Sequence, residues 1–338
     1  MAITLYLHVG NPLADAGHIA SLLAANREHL QVLGYGVCDS QMKIATARSA
    51  PEGPDAYLAA RLAAYEMEEG ESSLPDLFAA LRTQAERLSL KAVVLSAPSL
   101  CQPLGAEMMA AAQAHFDCRI LYYFNRQDDY LVAAWMAGVF KKGIGLHAYI
   151  NQQLAAPGRE LYRAAIAAYH EQFGGEAMRV QLLWKKVLAG GNLSADFWKA
   201  LDLDGADLPH TAVAAPVVSA DLAGALKESP YLFADEGDHA LTSFIAACQQ
   251  GAGAVKANPL DNDLRRRIMQ HYQPENRWIK TTFFADTAMP GWNAVPDSDD
   301  RNHDVTITGV TEMLNLNLAL LKDLREDVDL IKKKMGLK

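Results

Sequence analysis

The sequence predicts an α/β protein with a mainly parallel central sheet and helices on both of its faces. Three observations predict it. Short β-rich apolar runs occur at 3–9, 91–96, 118–124 and 178–184. Helical periodicities separate them, and glycine-rich or charged turns mark the changes of period. With 338 residues, 50% of them hydrophobic, the chain is long enough to bury a sizeable core.

Taken in order, "ITLYLHV" is an extended run that ends at Gly10. From His18 the period changes: Ile19, Leu22, Leu23, Asn26 and Leu30 recur at threes and fours and make one helical face. "GYGV" (34–37) is a turn entering a second short extended piece, and 55–68 and 75–88 read as helices. "KAVVLS" (91–96) is a buried strand, 105–116 a helix and "CRILYYF" (118–124) a strand. The helix expected at 128–143 closes with two lysines and Gly143, a common C-terminal signature. A helix at 160–175, a strand at 178–184 and a helix at 194–204 follow. Residues 205–235 read as irregular, and 241–250, 260–272 and 275–285 as helical. In such a fold ligands sit beyond the carboxyl ends of the strands, so the loops after Val9, Leu95 and Phe124 are where chemistry is expected.

The turn-rich stretch 288–304 reads as a linker between a domain at 1–287 and a C-terminal helix at 305–338. In that helix Val310, Leu314, Asn317, Leu321, Leu324, Val328, Ile331 and Met335 alternate by fours and threes, the spacing of a coiled-coil seam. A single asparagine in a seam costs stability and specifies register. The expectation is a homo-oligomer joined through this helix, against the plainer alternative of a terminal helix packed on its own domain.

A net charge of −9 and a pI near 5.6 argue against general nucleic-acid binding. No run approaches eighteen apolar residues, so no membrane span is expected, and the start shows no basic-then-apolar leader. Cys38, Cys101, Cys118 and Cys248 lie far apart, which suits reduced thiols in a cytoplasmic protein. The histidines show no metal-ligand spacing, and "DEGDH" (235–239) lacks that of an EF-hand loop, so no metal is expected.

Four blocks, "LHVG…GHIASLLAANREHLQVLGYGV", "YYFNRQDDYLVAAWMAGVFKKG", "LYRAAIAAYHEQFGGEAMRVQLLWKKVLAGGNLSADFWKALDLD" and "YQPENRWIKTTFF", together resemble bacterial P-loop sulfotransferases of the carbohydrate type, over about residues 3–285. The resemblance implies a parallel sheet with flanking helices, 3'-phosphoadenosine 5'-phosphosulfate as donor and transfer of sulfuryl to a hydroxyl, often on a sugar. It implies backbone N–H groups of the first loop on the 5'-phosphosulfate, a lysine on the leaving phosphate, and an arginine and a serine eight residues apart on the 3'-phosphate.

Carried onto this chain, the family His and Gly persist as His8 and Gly10, Gly17 stands at the second threonine position but stays a candidate for the donor loop, and Arg126 survives beside the second block. The lysine position is Leu13, the glycine that admits phosphate is Asp15, and a threonine position is Ala16. The arginine position is Asn125 and its serine partner is Ala133. The loop that commonly carries a catalytic carboxylate reads Ser96, Ala97, Pro98. A carboxylate about 4 Å from a phosphate repels it by about 4 kcal/mol at an effective dielectric near 20. Each lost charge-assisted hydrogen bond removes about 1.5–3 kcal/mol more. The expectation is therefore a sulfotransferase-fold protein that has lost donor binding and sulfuryl transfer, a binding or scaffold protein in surface-glycan metabolism that partners a glycan or an active relative. No cofactor is expected, and the sulfated donor or its 3',5'-bisphosphate binds only if the site is rebuilt. The alternatives are a transferase on a glycan hydroxyl with such a rebuilt site, using His8, Arg126 and "WKK" (184–186), and a purely structural oligomer. His8 either faces the cleft or is a hydrogen-bonded structural histidine. Asp128 and Asp129 are expected to cap the following helix, with Arg126 pairing to an acidic neighbour.

Overall fold

The computed structural model describes residues 2–13, 16–45, 52–67, 74–156, 158, 160–203, 208, 219–238, 240–248, 259–285, 287 and 292–295, and in the last segment 314, 317, 324, 327, 328 and 330–334. The chain divides into two compact units. One comprises 1–127, 160–215 and 272–292, the other 128–159, 216–271 and 293–338.

Among its described residues the first unit holds five parallel strands, β1 (Thr4–His8), β2 (Tyr35–Val37), β3 (Ala92–Ser96), β4 (Asp117–Phe124) and β5 (Met178–Leu182), in the order β2-β3-β1-β4-β5. This is the mainly parallel α/β sheet that the apolar runs predict. The strands are short and apolar because both faces are covered: all five residues of β3 are buried, and so are the last five of β4.

Right-handed crossovers decide which helices cover which face. From β1 the chain moves outward past β3 to β2, whereas the β3–β4 connection runs the other way. The two connections therefore lie on opposite faces. On one face, α1 (Ala16–Ala25), α2 (Arg27–Val32) and α9 (Leu193–Ala200) bury Ile19, Leu22, Leu30 and Phe197 against Tyr6, Val94 and Tyr123. On the other, α3 (Asp55–Glu66), α5 (Pro103–Met109) and α8 (Arg163–Phe173) pack on one another, and α8 packs on β4. The helices α4 (Leu74–Arg87) and α13 (Gln273–Phe283) also belong to this unit.

The second unit is helical. It contains most of α6 (Gln127–Ala137), then α7 (Leu146–Ala155), α10 (Ala220–Leu226), α11 (Ala240–Cys248) and α12 (Asn262–His271). Trp135, Phe140 and Phe233 stack edge to face or tilted, and the Trp135 indole N–H donates to the Ile144 carbonyl at 2.7 Å. Lys141 is buried, and its ammonium donates to the carbonyls of Glu236 and Asp238, both at 2.7 Å.

Several sequence readings need correction. The single helix expected from His18 through Leu30 is two, because Asn26 at the junction is buried and turns its amide onto the Leu22 carbonyl at 2.9 Å. The helix expected at 128–143 ends at Ala137. Gly138 then leads into a 3-10 turn at Val139–Lys142, closed by Gly143 with φ +75°. The helix expected at 105–116 is α5 followed by a 3-10 turn at Ala110–Ala114. Residues 205–235, read as irregular, contain α10, whose N-cap Ser219 accepts from the Leu222 N–H at 3.1 Å. The helix α7 has no counterpart among the readings.

Within the C-terminal seam Leu314, Asn317, Leu324, Val328 and Ile331 are helical and exposed. Val310, Leu321 and Met335, like Asp15, the Cys248 side chain, His239 and most of the 288–304 linker, lie outside the described residues. Among the described residues no helix is long and apolar enough to cross a membrane.

Candidate functional site

The opposite crossovers make β1 the switch point of the sheet, so the loops after β1, β3 and β4 frame the expected crevice. The loop after β1 does not lift away from the sheet. Val9 and Asn11 continue the β1–β4 ladder, donating to the Leu121 and Tyr123 carbonyls, each at 3.0 Å. Between them Gly10 lies so close to β4 that a Cβ would stand 2.8 Å from the Tyr123 nitrogen and 2.9 Å from its oxygen. Its need for glycine is therefore met by strand packing alone.

Beyond it the loop is tied down by neutral side chains. Asn11 is buried, and its Oδ1 accepts from the Leu13 N–H at 2.9 Å. The Leu13 carbonyl accepts from Asn125 Nδ2 at 3.0 Å. The positions where the resemblance implies a lysine and an arginine are thus joined to each other, first loop to third. Gly17 sits in the first turns of α1 with open space where a Cβ would be. Ala133 is a half-buried residue of α6.

His8 lies inside. It is 0% exposed, its Nδ1 is 2.8 Å from Ser96 Oγ, and the rings of Tyr123 and Phe197 meet it edge-on. A serine hydrogen-bonded to histidine is the geometry of a base-activated nucleophile, but two facts oppose that use. Burial lowers the imidazole pKa to about 3. No described residue hydrogen-bonds its Nε2, so nothing orients it as a base. Pro98 is buried in a 3-10 turn, Pro98–Leu100, that Asp55 holds by accepting the Ser99 N–H at 2.9 Å.

In the second block Asp128 and Asp129 lie in the first turn of α6, where Asp128 Oδ1 accepts the Asp129 N–H at 3.1 Å, and they also reach a second helix. Asp128 is 0% exposed and pairs with Arg265 of α12 at 3.1 Å, while Asp129 stands 3.9 Å from the same guanidinium. Arg126 is half-buried where the loop meets α6. Gln127 donates to Glu275 at 3.2 Å and to Asn276 at 2.5 Å. Glu275 Oε1 in turn accepts the N–H groups of Leu161, Tyr162 and Arg163, at 3.0, 2.7 and 2.8 Å. A helix N-terminus attracts anions, and that of α8 is filled by a carboxylate from the chain itself. Burial raises the Glu275 pKa, with the three N–H groups and Gln127 acting against it. The only sequence sign of this pair was the position of "EN" in the last family-like block.

Two cavities flank these loops. One, of about 220 Å³, opens at the carboxyl ends of β2 and β3, lined by Gly17, Leu23, Arg27, Asp55 and Ser96 among others. The other, of about 700 Å³, lies along β5 and α9, lined by Tyr123, Arg179, Gln181, Asp196, Lys199 and Asp202 among others. Its polar groups engage one another. Tyr123 donates to Asp196 at 2.8 Å, and Arg179 makes two bonds of 3.0 Å to Asp202 and a further one to the Ala200 carbonyl. Burial raises the Asp196 carboxyl above its ordinary range. Beside this groove, in "WKK", Lys186 lies over the Trp184 ring, 5.1 Å from its centroid.

A scan against protein-family models finds no match to the chain, and a search of curated proteins finds none. Among solved structures the chain is similar to the crystal structure of a sulfotransferase from Alicyclobacillus acidocaldarius, at 14% identity and a TM-score of 0.35, covering 84% of this chain and 96% of that one.

Proposed function

We propose that this chain is a sulfotransferase-fold protein without donor binding or sulfuryl transfer, a binding or scaffold protein of surface-glycan metabolism that assembles through its C-terminal helix. One observation carries the reading. Asn125 Nδ2 donates to the Leu13 carbonyl, so the two positions that would grip opposite ends of the nucleotide hold each other. Neither side chain is charged, and a phosphate must replace its hydration shell with donors at least as good. The glycan link rests on the sequence resemblance.

The test is calorimetric titration with 3'-phosphoadenosine 5'-phosphate of the wild-type chain and of Leu13→Lys/Asp15→Gly/Asn125→Arg. No heat from the wild type and micromolar binding by the triple variant support the proposal. Micromolar binding by the wild type, abolished by Gly17→Asp, refutes it.

A second reading, a transferase with a rebuilt site, has one observation in its favour: the cavity of about 220 Å³ at the carboxyl ends of β2 and β3, where Arg27, Asp55 and Ser96 converge. Sulfuryl transfer to a saccharide that is lost in Asp55→Asn would establish it.

A further inference from the structure

The described seam residues of the C-terminal segment point apolar surface outward: Leu314 is 59% exposed, Leu324 61%, Val328 41% and Ile331 54%. Their spacing sets the heptad register. Leu314 and Val328 take a positions, and Asn317, Leu324 and Ile331 take d positions. Asp327 then falls at g and Lys332 at the following e, and both are helical and exposed.

That register distinguishes the two ways in which copies can pair. In a parallel, in-register pair each a meets a and each d meets d. Asn317 then faces Asn317 of the other copy, where amide can bond amide. The g-to-e contact brings Asp327 to the Lys332 of the other copy, an attractive pair on each side of the seam. In the antiparallel arrangement that keeps the same seam residues opposed, a meets d. Asn317 is then set against Val328 with no polar partner, and neither Asp327 nor Lys332 lies near its opposite charge.

We infer that the C-terminal helix joins copies of this chain in parallel and in register, with Asn317 facing Asn317 and Asp327 facing Lys332. The inference rests on the proposed assembly through this helix and adds its partner and its polarity.

The test uses the full chain with single cysteines, Asn317→Cys and Val328→Cys, each alone and mixed, with the wild type under the same mild oxidation as the control for the native thiols. Light scattering runs in parallel. The expected result is an oligomer in which Asn317→Cys links to itself within minutes and the 317–328 mixed product is absent. In the antiparallel arrangement two 317 positions stand about 16 Å apart, too far for a disulfide. Asp327→Lys is expected to weaken association about tenfold, and Asp327→Lys/Lys332→Asp to restore it. A monomeric wild type overturns both the assembly and its polarity. An oligomer that gives the 317–328 product, or neither product, leaves assembly standing and overturns the parallel register.

Discussion

At the residue scale the strand ends are set by packing and neutral hydrogen bonds. Gly10 and Gly17 look equivalent in the sequence, yet they differ in what surrounds them. Gly10→Ala puts a methyl against the β4 backbone, which cannot give way as a flexible side chain would. It is expected to cost about 1–3 kcal/mol in a denaturant titration. Gly17→Ala meets nothing within 4 Å inside a helix and is expected to be neutral or stabilising by up to about 1 kcal/mol. His8 carries a pH signature. Its pKa is 6.5 in the unfolded reference and about 3 when buried, so the unfolded chain binds the extra proton between those values. Its contribution is full above pH 6.5 and is lost progressively as pH falls toward 3. The expected result is a stability–pH slope in that window that flattens in His8→Gln, and a His8 ring resonance that does not move between pH 5 and 8.

At the element scale the N-terminus of α8 depends on a helix distant in sequence. Glu275, near the start of α13, accepts three N–H groups at the beginning of α8 and one from Gln127. Removing the carboxylate orphans several buried donors at once, so Glu275→Ala is expected to destabilise the fold by about 3 kcal/mol. Glu275→Gln, which keeps an acceptor oxygen without the charge, should lose less than half of that. Equal losses in the two variants would show that the charge, and not the neutral acceptor, holds this helix end. The helices themselves were largely legible, because periodicity is a local property. Of α1 through α13, α7 and α10 were missed, since "LHAYINQQLA" and "ADLAGAL" carry weak apolar stripes and are helical through their tertiary neighbours.

At the scale of the whole molecule, the exposed Leu314, Leu324, Val328 and Ile331 are the surface through which the proposed assembly would form. If copies of the chain cover it, association stabilises the folded helix by mass action. The melting temperature should then rise with protein concentration. Leu324→Asp should abolish that dependence and leave the melting of the α/β unit unchanged. A melting temperature independent of concentration in the wild type would count against assembly through this helix.

The sequence by itself determined the fold class, the four long strands, most of the helices and the absence of charge at positions 13, 125 and 133. Each of these is a matter of residue type and local period. Tertiary structure alone decided what those positions do instead. The Asn125 amide reaching the Leu13 carbonyl joins residues 112 apart, and the Ser96 hydroxyl on His8 joins residues 88 apart. Glu275 lies more than a hundred residues from the helix it caps. Such contacts follow from strand order, which brings β1 between β3 and β4, and strand order leaves no periodicity in the sequence from which to read it.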